Sequence, residues 1–166
     1  MQDYLTRGNS GLIEYQDQIR GIRLNEEQHS LLETSLYVND FAPELAQYVN
    51  GFPRPELTGV ENSINWTKIK FGFKPVTLIT HVVTYRRHKP EATQIVVISK
   101  QIYANHYFDS SLSVTAFIDI PTTGAASDSY LLYTNRSRAD ALAGAFSKLK
   151  RKLVEAEAVD SLKDLL

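Results

Sequence analysis

Between residues 76 and 135, apolar and β-branched residues gather into four runs, about Val76–Tyr85, Gln94–Ala104, Ser111–Ile120 and Ser129–Asn135. Short polar or small-residue stretches separate them, the pattern of successive strands. In the third run Leu112, Val114, Ala116, Ile118 and Ile120 share one parity. Ser111, Ser113, Thr115 and Asp119 take the other, with Phe117 as the exception. This alternation predicts one face on a core and one face mostly in water. The first run has apolar residues on both parities, which predicts a strand covered on both faces. Arg86–Glu91 reads as a charged turn, Asn105–Ser110 as a hairpin connection, and Pro121–Ser127 as a small-residue loop.

The first fifty residues carry helical signals. Asn25 followed by Glu26 and Glu27 reads as an N-cap with an acidic first turn, and Leu31 and Leu32 give the apolar side. A second short helix is expected from Asp40-Phe41-Ala42-Pro43, with Leu45, Tyr48 and Val49 inward and Asn50-Gly51 as its stop. Phe52–Pro55 reads as a stiff connector. The aromatic-rich segment from Ile64 to Phe73 fits either a strand edge or a short helix.

Past residue 138 the period changes. Ser137-Arg138-Ala139-Asp140 resembles a capping box, and Leu142, Phe146, Leu149, Leu153, Ala156, Val159 and Leu162 form one stripe at helical spacing. A long amphipathic helix is therefore expected over about Ala139–Leu165. The fold expected is α+β: an antiparallel β-sheet with short N-terminal helices and a long C-terminal helix packed across it, in one domain over residues 1–166.

Composition adds limits rather than a function. Hydrophobic residues make up 43% and charged residues 22% of 166, with net charge −1, as in ordinary globular chains. Cysteine is absent, which removes disulfides, thiolate nucleophiles and cysteine metal sites. No apolar run suits a membrane-spanning helix and no signal segment follows Met1, so the compartment, cytoplasmic or exported, stays open. Residues 1–60 carry 4 basic and 9 acidic side chains; Arg136–Lys152 carries six basic residues against Asp140. The stretch reads as a solvated helix face, and no nucleic-acid partner is expected.

The candidate site is a polar cluster on one strand and its turn: Lys100, Tyr103, His106, Tyr107 and Asp109. Tyrosine and histidine combine an apolar body with a polar tip, suited to orienting an amphipathic ligand. The bland alternative is a hairpin end capping the core. His81 stands in an apolar strand with Tyr85 on the same parity; it is either a hydrogen-bonded core histidine or, facing a cavity, an acid/base with Tyr103 as donor. Tyr133 and Arg136 would line one end of the same space, and Arg136 beside a helix start suits an anion. His29, His81, His88 and His106 lack metal-ligand spacing, so neither metal nor cofactor is expected.

Two resemblances follow. The order of elements resembles the START-like (helix-grip) superfamily, which implies a curved sheet around a C-terminal helix with a hydrophobic ligand between them. Asn65-Trp66-Thr67-Lys68, Phe71–Val76, Thr80-His81-Val82, Ser99–Asp109 and Tyr130–Arg138 are similar to an uncharacterised family of bacterial proteins whose members are longer at the N-terminus. That similarity implies a C-terminal portion of a longer precursor, or a short member, and no activity.

The function expected is a binding module for an apolar or amphipathic small molecule, such as a lipid, in a cavity of at least roughly 300 Å³ between sheet and C-terminal helix. Two readings stand beside it. One is an enzyme using His81 in the same space. The other is an interaction domain, with the Val76–Tyr85 strand burying a face in a homo-oligomer.

Overall fold

The structure, a computed structural model, describes residues 1–15, 21–54, 56–71, 74–105, 108–121 and 127–138. Helix α1 (Gln2–Arg7) runs into a 3₁₀ turn (Gly8–Gly11), and a two-stranded ribbon follows, β1 (Glu14–Tyr15) with β2 (Ile22–Arg23). Then come α2 (Leu24–Glu33), α3 (Leu36–Phe41) and α4 (Pro43–Gly51). A five-stranded antiparallel meander completes the order: β3 (Val60–Phe71), β4 (Lys74–Lys89), β5 (Ala92–Ala104), β6 (Ser110–Pro121) and β7 (Ser127–Arg138).

The helices bury the stripes their spacing dictates. Leu24, Gln28, Leu31 and Leu32 of α2 and Leu45, Ala46, Tyr48 and Val49 of α4 lie inward. Of these, Leu31, Leu32, Leu45, Ala46, Tyr48 and Val49 pack with Val83, Tyr85, Val96, Ile98, Leu112, Val114 and Ala116 in one core. Each such aliphatic side chain, fully buried, contributes roughly 1.5–3 kcal/mol. Pro43 sits in the first turn of α4, where its missing N–H costs little. Ala42, in a non-helical conformation (φ −143°, ψ 66°), breaks the path between α3 and α4 and leaves two short helices around residues 36–51.

The sheet has one irregularity. Ile79 opposes Tyr103 and Thr80 opposes Gln101, so Ile102 is the extra residue of a β-bulge. Pairing of β5 with β6 stops at Lys100 and Leu112, one residue before Gln101. The loose Gln101 carbonyl is met by Gln28 of α2, whose Nε2 donates to it at 2.7 Å and to the Ser111 carbonyl at 3.2 Å. A buried carbonyl requires such a partner. One side chain therefore ties α2 across two strands.

Several expectations are corrected. The helix-grip architecture does not hold: the N-terminal helices cover the described sheet. No long C-terminal helix is among its elements, and the expected Ala139–Leu165 segment lies outside the described residues. Ser137 and Arg138 belong to β7, so they do not open a capping box; the Ser137 hydroxyl instead donates to Asn135 Oδ1 at 2.6 Å. Strand β4 continues through the charged Arg86–Lys89, because all four residues pair with β5, from Arg86 opposite Ile95 to Lys89 opposite Ala92. The open segment around Ile64 is the 12-residue strand β3.

Candidate functional site

Two places on the helix-covered face could carry chemistry. The first surrounds His81. Strand alternation turns His81, Val83, Tyr85 and Arg87 toward the helices, and antiparallel register sets Lys100 opposite His81. Gly8 lets α1 end directly against Phe52: its φ is +60°, and a Cβ there would collide with the Phe52 carbonyl. That approach brings the Tyr4 ring to 5.5 Å from Phe52, and Phe52 to 4.5 Å from the His81 ring.

Both His81 nitrogens are engaged and its ring has 0% exposure. Tyr4 Oη lies 2.7 Å from Nδ1, and Nε2 lies 2.9 Å from Asn62 Oδ1. With Asn62 presenting its oxygen, Nε2 carries the hydrogen and Nδ1 accepts from the Tyr4 hydroxyl. The Asn62 amide donates onward to Tyr48 Oη at 2.7 Å. The chain runs through α1, β4, β3 and α4 and leaves neither imidazole nitrogen for a substrate.

Burial, helped by the Lys100 charge, pushes the His81 pKa down to about 4, so the ring is neutral at ordinary pH. Burial alone brings Lys100 down to about 7. Its ammonium donates to Asn9 Oδ1 and stands 5.3 Å above the Tyr4 ring. Burial also raises the Tyr4 hydroxyl above the usual tyrosine value, keeping it a donor.

The other expected site residues scatter. Tyr85 is buried with its hydroxyl donating to Glu44 Oε1 at 3.1 Å. Tyr103 is half-buried at the bulge. Tyr133 sits on the opposite face of the sheet from His81, and Arg136 lies on the helix side with its guanidinium on the Thr34 carbonyl. His106 and Tyr107 lie outside the described residues. The expected cluster is thus divided: His81 and Lys100 meet, while Tyr133 and Arg136 stand elsewhere. Among the described residues, no three His, Asp or Glu side chains gather into a metal-binding group.

The second place is a groove between α3 and the sheet. Val38, Phe41 and Ala42 form one wall; Val96, Val114, Ala116 and Leu132 form the floor. Tyr37 and Thr134 stand at its rim, where Thr134 Oγ1 and Tyr37 Oη hydrogen-bond at 2.6 Å. The hollow measures about 240 Å³, below the roughly 300 Å³ at which drug-sized pockets begin. It accommodates a short apolar chain rather than a bulky ligand. Of its floor, Val114 and Ala116 were legible as the inward parity of their strand. The wall was not, although Pro43 disfavours a helical Ala42 and so marks the break that ends α3.

Compared with protein-family models, with curated proteins and with solved structures, the chain matches none. No helix of the described residues is long and apolar enough to cross a membrane.

Proposed function

We propose that this chain is a binding module for a small apolar or amphipathic molecule, held in the groove between α3 and strands β5–β7. The carrying observation is a half-enclosed hollow lined almost wholly by carbon, with two hydroxyls, Tyr37 and Thr134, at the mouth. Its chemistry suits a short alkyl chain whose single polar end replaces the Tyr37–Thr134 hydrogen bond. Burying such a chain contributes about 0.8 kcal/mol per CH₂. The His81 cluster supports the same reading from the other side: a neutral, doubly hydrogen-bonded histidine is a structural group.

Calorimetric titration with octanol is the test. Saturable one-to-one binding, abolished by Ala116→Leu, supports the reading. Absence of binding by a correctly folded wild-type protein overturns it.

A further inference from the structure

The two edges of the sheet differ. Strand β3 carries exposed Glu61, Lys68 and Lys70, charges of the kind that keep a strand edge from pairing with another chain. Strand β7 has no charge between Asp128 and Arg136, and contains neither proline nor an irregularity in register. At its centre Tyr130, Leu131, Leu132 and Tyr133 are 53%, 71%, 55% and 53% exposed. Among the described residues its outer edge has no neighbouring strand.

We infer that β7 is a self-pairing edge: two copies of this chain join antiparallel through β7, about a dyad at Leu132, into one continuous ten-stranded sheet. The sequence of the strand selects this register. Asp128, Tyr130, Leu132, Thr134 and Arg136 share the helix-side face, as their β6 partners Ile120, Ile118, Ala116, Val114 and Leu112 require. With Leu132 on the dyad, Leu132 meets itself, Tyr130 meets Thr134 of the other copy, and Asp128 meets Arg136 of the other copy. Symmetry makes that ion pair twice. On the opposite face Leu131 meets Tyr133. Aliphatic-aromatic and opposite-charge cross-strand pairs are the stabilising kinds.

Neighbouring registers are poorer. A dyad at Leu131 sets Asp128 against Thr134. A dyad at Tyr133 sets Leu131 against Asn135 and asks Asp128 to pair with Arg138, whose charge Glu27 already neutralises, whereas Arg136 meets only the neutral Thr34 carbonyl. Asp128 makes no ion pair among the described residues. A self-complementary patch of this kind fits the isologous interface of a two-fold dimer. The inference does not depend on the groove holding a ligand.

Because the chain lacks cysteine, introduced thiols report the register directly. Directly opposed strand residues have Cα atoms about 4.5–5.5 Å apart, within disulfide reach. Sedimentation velocity of the full chain is expected to show a monomer–dimer equilibrium, and oxidised Leu132→Cys a covalent dimer that Ser129→Cys does not form. Asp128→Arg is expected to weaken the dimer by about tenfold or more, and adding Arg136→Asp to restore it. The changed positions are exposed or half-exposed, so the fold tolerates them. A monomer at every concentration, equal cross-linking at both positions, or a dimer indifferent to charge reversal overturns the inference.

Discussion

Arg87 Nη1 lies 2.7 Å from Glu44 Oε1, forming the most buried ion pair among the described residues and tying β4 to the start of α4. The same guanidinium donates through Nη2 to the Phe41 carbonyl at 2.6 Å and through Nε to Gln94 Oε1 at 2.6 Å. It also stands 5.0 Å from the Phe41 ring. Phe41 and Ala42 wall the groove, so this fork sets how far α3 stands off the sheet. Arg87 is a positioning residue for the proposed site.

Arg87→Lys keeps the charge and loses the fork. A single ammonium cannot serve Glu44, Phe41 and Gln94 together. The expected cost is about 1–3 kcal/mol in chemical denaturation. Octanol affinity should fall with it. An unchanged midpoint and affinity would show that the wall is held by α3 packing alone.

Burial acts to raise the Glu44 carboxyl, but hydrogen bonds from its own backbone N–H, Tyr85 and Arg87, with the Arg87 charge, outweigh it and hold the pKa below the usual range. A depressed carboxyl contributes stability above its unfolded value that is lost as pH falls through the folded one. Acid unfolding of Glu44→Gln should therefore be less steep below pH about 4 than that of the wild type.

His81→Ala removes an acceptor from Tyr4 and a donor from Asn62 within the core. The expected destabilisation is roughly 2–4 kcal/mol, from a cavity and unpaired polar groups together. A variant with wild-type melting would mean that the histidine is kept for something other than packing.

The two buried bases impose a pH profile. His81 falls from an unfolded value near about 6.5 to about 4, so the unfolded chain binds the extra proton between those values and stability rises with pH there. Lys100 falls from about 10.5 to about 7, so stability continues to rise from pH 7 upward. From pH 7 to 9 the gain should be on the order of 2 kcal/mol. Lys100→Met should flatten that limb and raise stability at pH 7, since no ion pair with Lys100 is present among the described residues. A flat wild-type profile in this range would mean that water reaches the ammonium.

Much of the sheet was legible because strand burial follows parity: Leu112, Val114 and Ala116 face inward as their alternation requires. Strand ends were less so, since charged Arg86–Lys89 pair as well as apolar residues do where β5 extends far enough to meet them. The site was legible only in part. His81 and Lys100 could be singled out as polar residues in apolar strands, but their partners Tyr4, Asn9, Asn62 and Tyr48 are distant in sequence, and no local pattern marks them. The choice of covering helices failed for a similar reason. A strong apolar stripe says that a helix must be buried, not that it is the one against this sheet.

The groove itself is tested most directly by methyl-resolved NMR during titration with octanol. Saturable shifts confined to methyls of Val38, Val96, Val114, Ala116 and Leu132, and suppressed in Ala116→Leu, are the expected result. Shifts absent throughout, or centred on residues beyond the groove such as Val76 and Ile102, would contradict the account.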